Sequence, residues 1–160
     1  MLKKIIKVVL IVLVLAFVIG QFIRPNFSNP PVVESETLRA STEVPADVQA
    51  VLTRSCSDCH SNETRYPWYS KITPFNWLLA DHIEDGRKEL NFSLWNTYAA
   101  KKKIRKLDEL CEQVEHGEMP LPSYLWIHSE AVMREGDAAL LCNWAKAESD
   151  RLKAANGPLE

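Results

Sequence analysis

Several features that mark particular protein classes are scarce in this chain of 160 residues. It has only four cysteines, too few for a disulfide scaffold. Its formal net charge is −2, so no basic surface indicates binding to nucleic acid. It has no glycine loop for a phosphate, no nucleophile elbow and no recognisable pair of catalytic carboxylates. These absences favour a protein that is neither an enzyme nor a nucleic-acid binder.

Convincing strand patterns and internal repeats are also missing, whereas apolar residues recur at helical spacing. The clearest stripe, formed by Ile104, Leu107, Cys111 and Val114, predicts a helix over residues 101–116 that Gly117 is placed to cap. Similar spacing predicts further helices over residues 45–56, 74–86 and 135–153. The sequence therefore predicts an all-α fold.

The N-terminus carries the longest apolar run. Lys3, Lys4 and Lys7 precede apolar residues that continue to Ile23, and counting from Ile5 gives roughly 19 residues, close to a bilayer span. The leading lysines predict a cytoplasmic N-terminus. We therefore expect an uncleaved transmembrane anchor at residues 1–24 and an exported domain. A cleaved signal peptide is the alternative, although no small-x-small cleavage site follows the run.

The rest of the chain divides by composition. Residues 25–44 are rich in proline, asparagine and acidic residues without apolar periodicity, which predicts a semi-extended linker. Residues 45–155 hold the helical patterns and form the predicted domain. Residues 156–160 are left as a tail.

The most informative stretch is Cys56-Ser57-Asp58-Cys59-His60. Its Cys-x-x-Cys-His pattern is typical of c-type haem attachment, in which two thiols bond the porphyrin vinyl groups and the histidine binds iron. A zinc site would need a second ligand pair, and a redox dithiol would follow a strand. The sequence has neither feature, so we expect one covalent haem c with His60 as the proximal ligand.

Two residues are candidates for the sixth iron ligand. Met119 precedes Pro120 in a loop about sixty residues after His60, and a thioether ligand favours electron transfer by raising the reduction potential. Core packing is the other interpretation of this methionine. His82 is the alternative ligand, or else it is a histidine on a helix face.

Three further residues are candidates for the haem pocket. Arg87 is expected to pair with a haem propionate through its guanidinium fork, unless it is a surface arginine. Trp68 and Tyr124 are expected to cover the haem or donate to a propionate, unless they belong to an ordinary core. The other two cysteines, Cys111 and Cys142, form either a disulfide between the last two helices or two buried free thiols.

The sequence resembles the bacterial haem-binding domain family of c-type cytochromes over nearly the whole predicted domain. The blocks that carry the resemblance are Cys56-Ser57-Asp58-Cys59-His60-Ser61-Asn62-Glu63-Thr64 with Tyr66-Pro67-Trp68-Tyr69-Ser70, His82-x-x-x-Gly86-Arg87 with Leu90-Asn91-Phe92-Ser93-x-Trp95, and Gly117-Glu118-Met119-Pro120-Leu121-Pro122-x-Tyr124 with His128-x-x-Ala131. The resemblance implies a cytochrome c-like helical fold around one haem, in a protein anchored in the bacterial inner membrane and facing the periplasm.

From these features we expect a carrier of single electrons at the periplasmic face of the membrane, with a redox partner that the charges do not identify. Two alternatives stay open. If the sixth iron position is open or labile, the protein is a peroxidase-like haem enzyme in which His82 serves as the distal base. Otherwise the haem domain is a sensor or a structural module.

Overall fold

The computed structural model describes residues 1–157, and this part of the chain is helical without any strand. The predicted tail at residues 156–160 therefore lies mostly outside the described residues. The helices are α1 (Leu2–Gly20), α2 (Leu38–Ser41), α3 (Ala46–Ser55), α4 (Ser57–His60), α5 (Phe75–Glu89), α6 (Ala100–Glu115), α7 (Pro122–Leu125) and α8 (Asp137–Asn156). Short 3₁₀ turns lie at Glu34–Glu36, Trp68–Lys71, Phe92–Thr97 and Ser129–Ala131. The prediction of an all-α fold is confirmed.

The core lies where α8 packs against α6 on one side and against α3 on another. Leu107 on α6, Leu141 on α8 and Leu52 on α3 are among its fully buried side chains. Burial of one such side chain contributes about 1.5–3 kcal/mol. A disulfide between Cys111 and Cys142 joins α6 to α8, so the open question about these two cysteines is resolved in favour of the bridge.

The predicted membrane anchor is wrong. Helix α1 includes Lys3, Lys4 and Lys7, which leaves residues 8–20 as its uninterrupted apolar stretch. At a rise of about 1.5 Å per residue this stretch measures roughly 20 Å, shorter than the hydrocarbon core of roughly 30 Å. Within residues 1–157 no helix has the length and apolar character needed to cross a membrane. The expected location, a single pass through the inner membrane, depended on this anchor and is therefore also wrong.

The segment predicted as a linker has structure in its second half. Thr37 accepts a hydrogen bond from the backbone N–H of Ala40 and so caps α2. The next residue, Leu38, is buried in the core. Helix α2 packs against the 3₁₀ turn at Phe92–Thr97, so residues 37–42 add to the domain.

The end of α1 is also tied to the domain. The side chain of Gln21 donates to the carbonyl of Thr73 and accepts from its backbone N–H, both at 3.1 Å. The Thr73 hydroxyl in turn donates to the carbonyl of Gly20 at 3.1 Å. These contacts place the last turn of α1 beside the start of α5.

Candidate functional site

The two cysteines and the histidine of the motif come together in a single tight turn. Helix α3 ends at Ser55, and Cys56 forms the junction to α4. The backbone N–H groups of Cys59 and His60 both donate to the carbonyl of Cys56, at 3.2 and 3.0 Å. Both cysteines are free and only partly exposed. The turn therefore presents two thiols and one imidazole at one place.

The ring of His60 is oriented by a backbone carbonyl. Its Nδ1 lies 3.0 Å from the carbonyl oxygen of Leu90, the residue that directly follows α5. Because a carbonyl only accepts, Nδ1 carries the proton and Nε2 keeps its lone pair for a metal. Burial lowers the pKa of His60, although the backbone hydrogen bonds partly oppose this shift. The neutral ring is the form that binds iron.

The environment of the two thiols favours their protonated form. Burial raises the pKa of Cys56 to about 12 and that of Cys59 to about 11. Reactive dithiols lie in environments that favour the thiolate instead. The raised pKa values therefore argue against the redox-dithiol alternative.

Two adjoining cavities, of about 400 and 370 Å³, open beside this turn. We call them the first and the second cavity. Both are lined by Cys56, His60, Met119 and Pro120. The first cavity also has aromatic and aliphatic walls, formed by Tyr69, Phe75, Leu78, Leu79, Trp126 and Ile127.

These features fit a flat apolar cofactor such as haem. Each cavity falls in the size range of ligand sites, which is about 300–1,000 Å³. Ser55 belongs to the wall that the two cavities share, and its hydroxyl is buried without a hydrogen-bond partner. Such an orphaned polar group is uncommon in a native interior.

The structure brings Met119 and His60 to the same space. Met119 follows Gly117, whose φ of +69° turns the chain after α6. The backbone N–H of Met119 then donates to the carbonyl of Gln113 at 3.2 Å, which holds the loop against α6. His82 lines the first cavity alone, whereas Met119 lines both.

The other predicted pocket residues are directed differently. Trp68 is 69% exposed and packs its ring edge-on against Tyr69. Arg87 donates at 2.8–2.9 Å to the Ser61 carbonyl, Thr64 Oγ1 and Asn29 Oδ1. Among the described residues, neither Trp68 nor Arg87 lines the two cavities. Their predicted roles at the haem stay predictions.

Tyr124 does line the first cavity, but its hydroxyl donates to a protein carboxylate. It lies 3.0 Å from Oδ2 of Asp58, the residue that precedes Cys59. Burial, followed by the Asp58 charge, raises the pKa of this phenol well above its ordinary value. Tyr124 therefore keeps its proton and remains a hydrogen-bond donor.

Sequence reasoning missed several residues of the site. The carbonyl of Leu90 has no side-chain signal, because any residue offers the same group. Lys106 lines the second cavity at 5% exposure, between the carboxylates of Glu89 and Glu109 at 2.9 and 2.6 Å. Lys106 lies off the apolar stripe of α6, so the sequence carries no signal that this lysine is buried.

The fold and the site together define a class: small all-helical proteins in which a Cys-x-x-Cys-His turn opens into a cavity suited to haem. The family model described as the haem-binding domain matches residues 15–147, which is most of the chain. The chain belongs to this haem-binding domain family, and haem is the cofactor that this membership supports. No curated protein and no solved structure gives a significant match. The cytochrome c-like arrangement therefore stays a prediction.

Proposed function

We propose that this protein carries single electrons on one haem c that is attached through Cys56 and Cys59, with His60 and Met119 as axial ligands. The observation that carries the proposal is that Met119 and His60 both line the two cavities that meet at Cys56. In this proposal no substrate binds at the iron, and the protein is not an enzyme.

His60 is prepared to act as the proximal ligand. The Leu90 carbonyl holds its Nδ1–H and leaves Nε2 available. The same hydrogen bond raises the basicity of the ring and limits its rotation. In this proposal each cysteine sulfur bonds one vinyl carbon and a hydrogen is added to the other, so the two sulfurs form thioethers with no change in the oxidation state of the iron.

Met119 distinguishes an electron carrier from a haem enzyme. Bound haem supplies an iron that changes oxidation state by one electron, and a thioether ligand favours the reduced state. Pro120, the residue after Met119, is buried. The loop that carries the Met119 sulfur is therefore packed against the rest of the protein. The apolar walls of the first cavity would exclude water from the bound cofactor.

His82 supports a second candidate function. It lines the first cavity and is only partly buried, so its imidazole would be close to a haem bound there. If Met119 did not bind the iron, the open position and this imidazole would favour a peroxidase-like enzyme. A histidine near an open iron position can serve as the distal base.

The test is production of the protein with the cytochrome c maturation machinery, followed by mass and absorption spectra. We expect one covalent haem and a low-spin ferric spectrum with the near-infrared band of methionine ligation. Met119→Ala should lose that band. Met133→Ala is the matched control, because Met133 packs against the core and keeps the band.

Each part of the proposal has a result that contradicts it. Covalent haem in the double variant Cys56→Ser and Cys59→Ser would rule out thioether attachment. A high-spin ferric spectrum in the wild-type protein would rule out the carrier and favour the enzyme. A low-spin spectrum that changes in His82→Ala but not in Met119→Ala would assign the sixth ligand to His82.

A further inference from the structure

One hydrogen bond joins the two segments that hold the proposed axial ligands. The Tyr124 hydroxyl on α7 donates to Oδ2 of Asp58 on α4 at 3.0 Å. Tyr124 follows Met119 by five residues, and Asp58 precedes His60 by two. Among the described residues, this is the one hydrogen bond between α4 and residues 119–128. It therefore links the loop of Met119 to the attachment turn.

The acceptor side of this link is fixed. Arg65 donates to Oδ1 and Oδ2 of Asp58 through its guanidinium group, at 3.1 and 3.0 Å. The backbone N–H of Arg65 adds a third bond to Oδ1 at 3.1 Å. The Asp58 carboxylate thus stays in place while Tyr124 donates to it.

The donor side is held as well. The ring of Tyr124 stacks on the imidazole of His128, with centroids 4.1 Å apart and planes 11° apart. His128 Nε2 lies 2.9 Å from the hydroxyl of Tyr69, and its Nδ1 lies 3.1 Å from Glu130. The segment that follows Met119 is therefore also attached to the turn at Trp68–Lys71, which contains Tyr69.

We propose that Asp58 and Tyr124 are positioning residues that keep the Met119 loop closed over the haem, so that Met119 leaves the iron only when their hydrogen bond breaks. This inference rests on the proposed function, since it assumes that Met119 is an axial ligand. The single hydroxyl hydrogen of Tyr124 is used on Asp58. While this bond is intact, Tyr124 has no second donor for a haem propionate, and that expected role stays a prediction.

The test is displacement of Met119 by imidazole in the ferric holoprotein at neutral pH. Imidazole binds only after the loop releases the methionine, so its apparent affinity reports how easily the loop opens. We expect Tyr124→Phe to bind imidazole about tenfold more tightly, because a hydrogen bond to a charged group typically contributes at least that factor. Without imidazole, the variant should keep its methionine band.

Two further variants sharpen the result. Tyr66→Phe is the matched control, because the Tyr66 hydroxyl bonds Asn29 at 3.1 Å and does not line either cavity. Its imidazole affinity should equal that of the wild-type protein. Asp58→Asn keeps a neutral acceptor and should show a smaller increase than Tyr124→Phe. It also provides the measurement if Tyr124→Phe fails to fold.

The two proposals fail in distinguishable ways. Unchanged imidazole affinity in both Tyr124→Phe and Asp58→Asn would overturn the positioning role, even if thermal stability fell. If the near-infrared band of the wild-type protein persisted in Met119→Ala, Met119 would not be an iron ligand. The proposed ligand pair of His60 and Met119 would then fail, and the positioning role of Asp58 and Tyr124 would fail with it.

Discussion

The Nδ1 atom of His60 lies 3.0 Å from the carbonyl oxygen of Leu90, so the residue that follows α5 sets the orientation of the His60 imidazole. One turn earlier on the same helix, Gly86 faces the backbone of Cys59. A Cβ at Gly86 would stand 2.8 Å from the Cys59 carbonyl oxygen. Helix α5 thus positions both the imidazole and the second thiol, which requires a close approach between α4 and α5.

Gly86→Ala should weaken this contact. Alanine normally stabilises a helix relative to glycine by up to about 1 kcal/mol. Here the added methyl group meets the backbone of Cys59, and overpacking typically costs about 1–3 kcal/mol. We expect a net loss of about 1–2 kcal/mol in the free energy of unfolding, measured by urea denaturation, together with less covalent haem per protein.

Asp81→Ala, at an exposed position on the same helix, serves as the control for Gly86→Ala and should keep full haem loading. If Gly86→Ala proved more stable than the wild-type protein, the close approach of α4 and α5 would not be required.

Arg87→Lys tests whether this arginine acts on the loop or on the haem. Its guanidinium donates to the Ser61 carbonyl and Thr64 Oγ1 after the motif, and to Asn29 Oδ1. Lysine cannot reproduce this fork, so we expect a loss of about 2 kcal/mol in unfolding free energy. The reduction potential should stay unchanged, because none of these partners belongs to the cofactor.

Arg105→Lys is the control, since Arg105 is exposed and forms an ion pair with Glu109 within its own helix. A shift of potential in Arg87→Lys without any loss of stability would favour the propionate role predicted from the sequence.

Removal of the Cys111–Cys142 bridge should destabilise the domain. The bridge closes a loop with a sequence separation of 31, and the chain-entropy model assigns such a loop about 3–4 kcal/mol. The double variant Cys111→Ala and Cys142→Ala should lose that amount in urea denaturation. Dithiothreitol should bring the wild-type protein to the same midpoint and leave the variant unaffected. A midpoint unchanged by both treatments would show that packing of α6 and α8 suffices.

Lys106→Met should change how stability depends on acid. The hydrogen bond from Lys106 holds the pKa of Glu89 below its ordinary value. A carboxyl with a lowered pKa stabilises the fold above its unfolded pKa of about 4.3, and this contribution is lost as pH falls through the folded pKa. The stability difference between wild type and Lys106→Met should therefore shrink below about pH 4.

The effect will be modest, because Glu89 is exposed and its charge is screened by solvent. Lys146→Met, at an exposed position on α8, should show no such acid dependence relative to wild type. A stability difference for Lys106→Met that stayed constant from pH 7 to pH 3 would exclude the ion pair as its cause.

Sequence reasoning succeeded where the signal is local. The stripe of Ile104, Leu107, Cys111 and Val114 predicted α6 at residues 101–116, and the structure has it at Ala100–Glu115. Such patterns are readable because helical geometry repeats every 3.6 residues. The anchor failed for a related reason: the apolar count from Ile5 to Ile23 included Lys7 and ran past the end of the helix at Gly20, so it overestimated the apolar length.

The all-helical class and the Cys56–His60 turn follow from residue spacing alone, because both depend on neighbours within one or two helical turns. The Cys111–Cys142 bridge, the Leu90 carbonyl behind His60 and the Asp58–Tyr124 contact depend on segments that are 30 or more residues apart. The spacing of residues along the sequence does not determine which of these distant groups come into contact. Packing of the helices brings Met119 to His60 and turns Arg87 toward Ser61, since a side chain pairs with whatever the fold places within its reach.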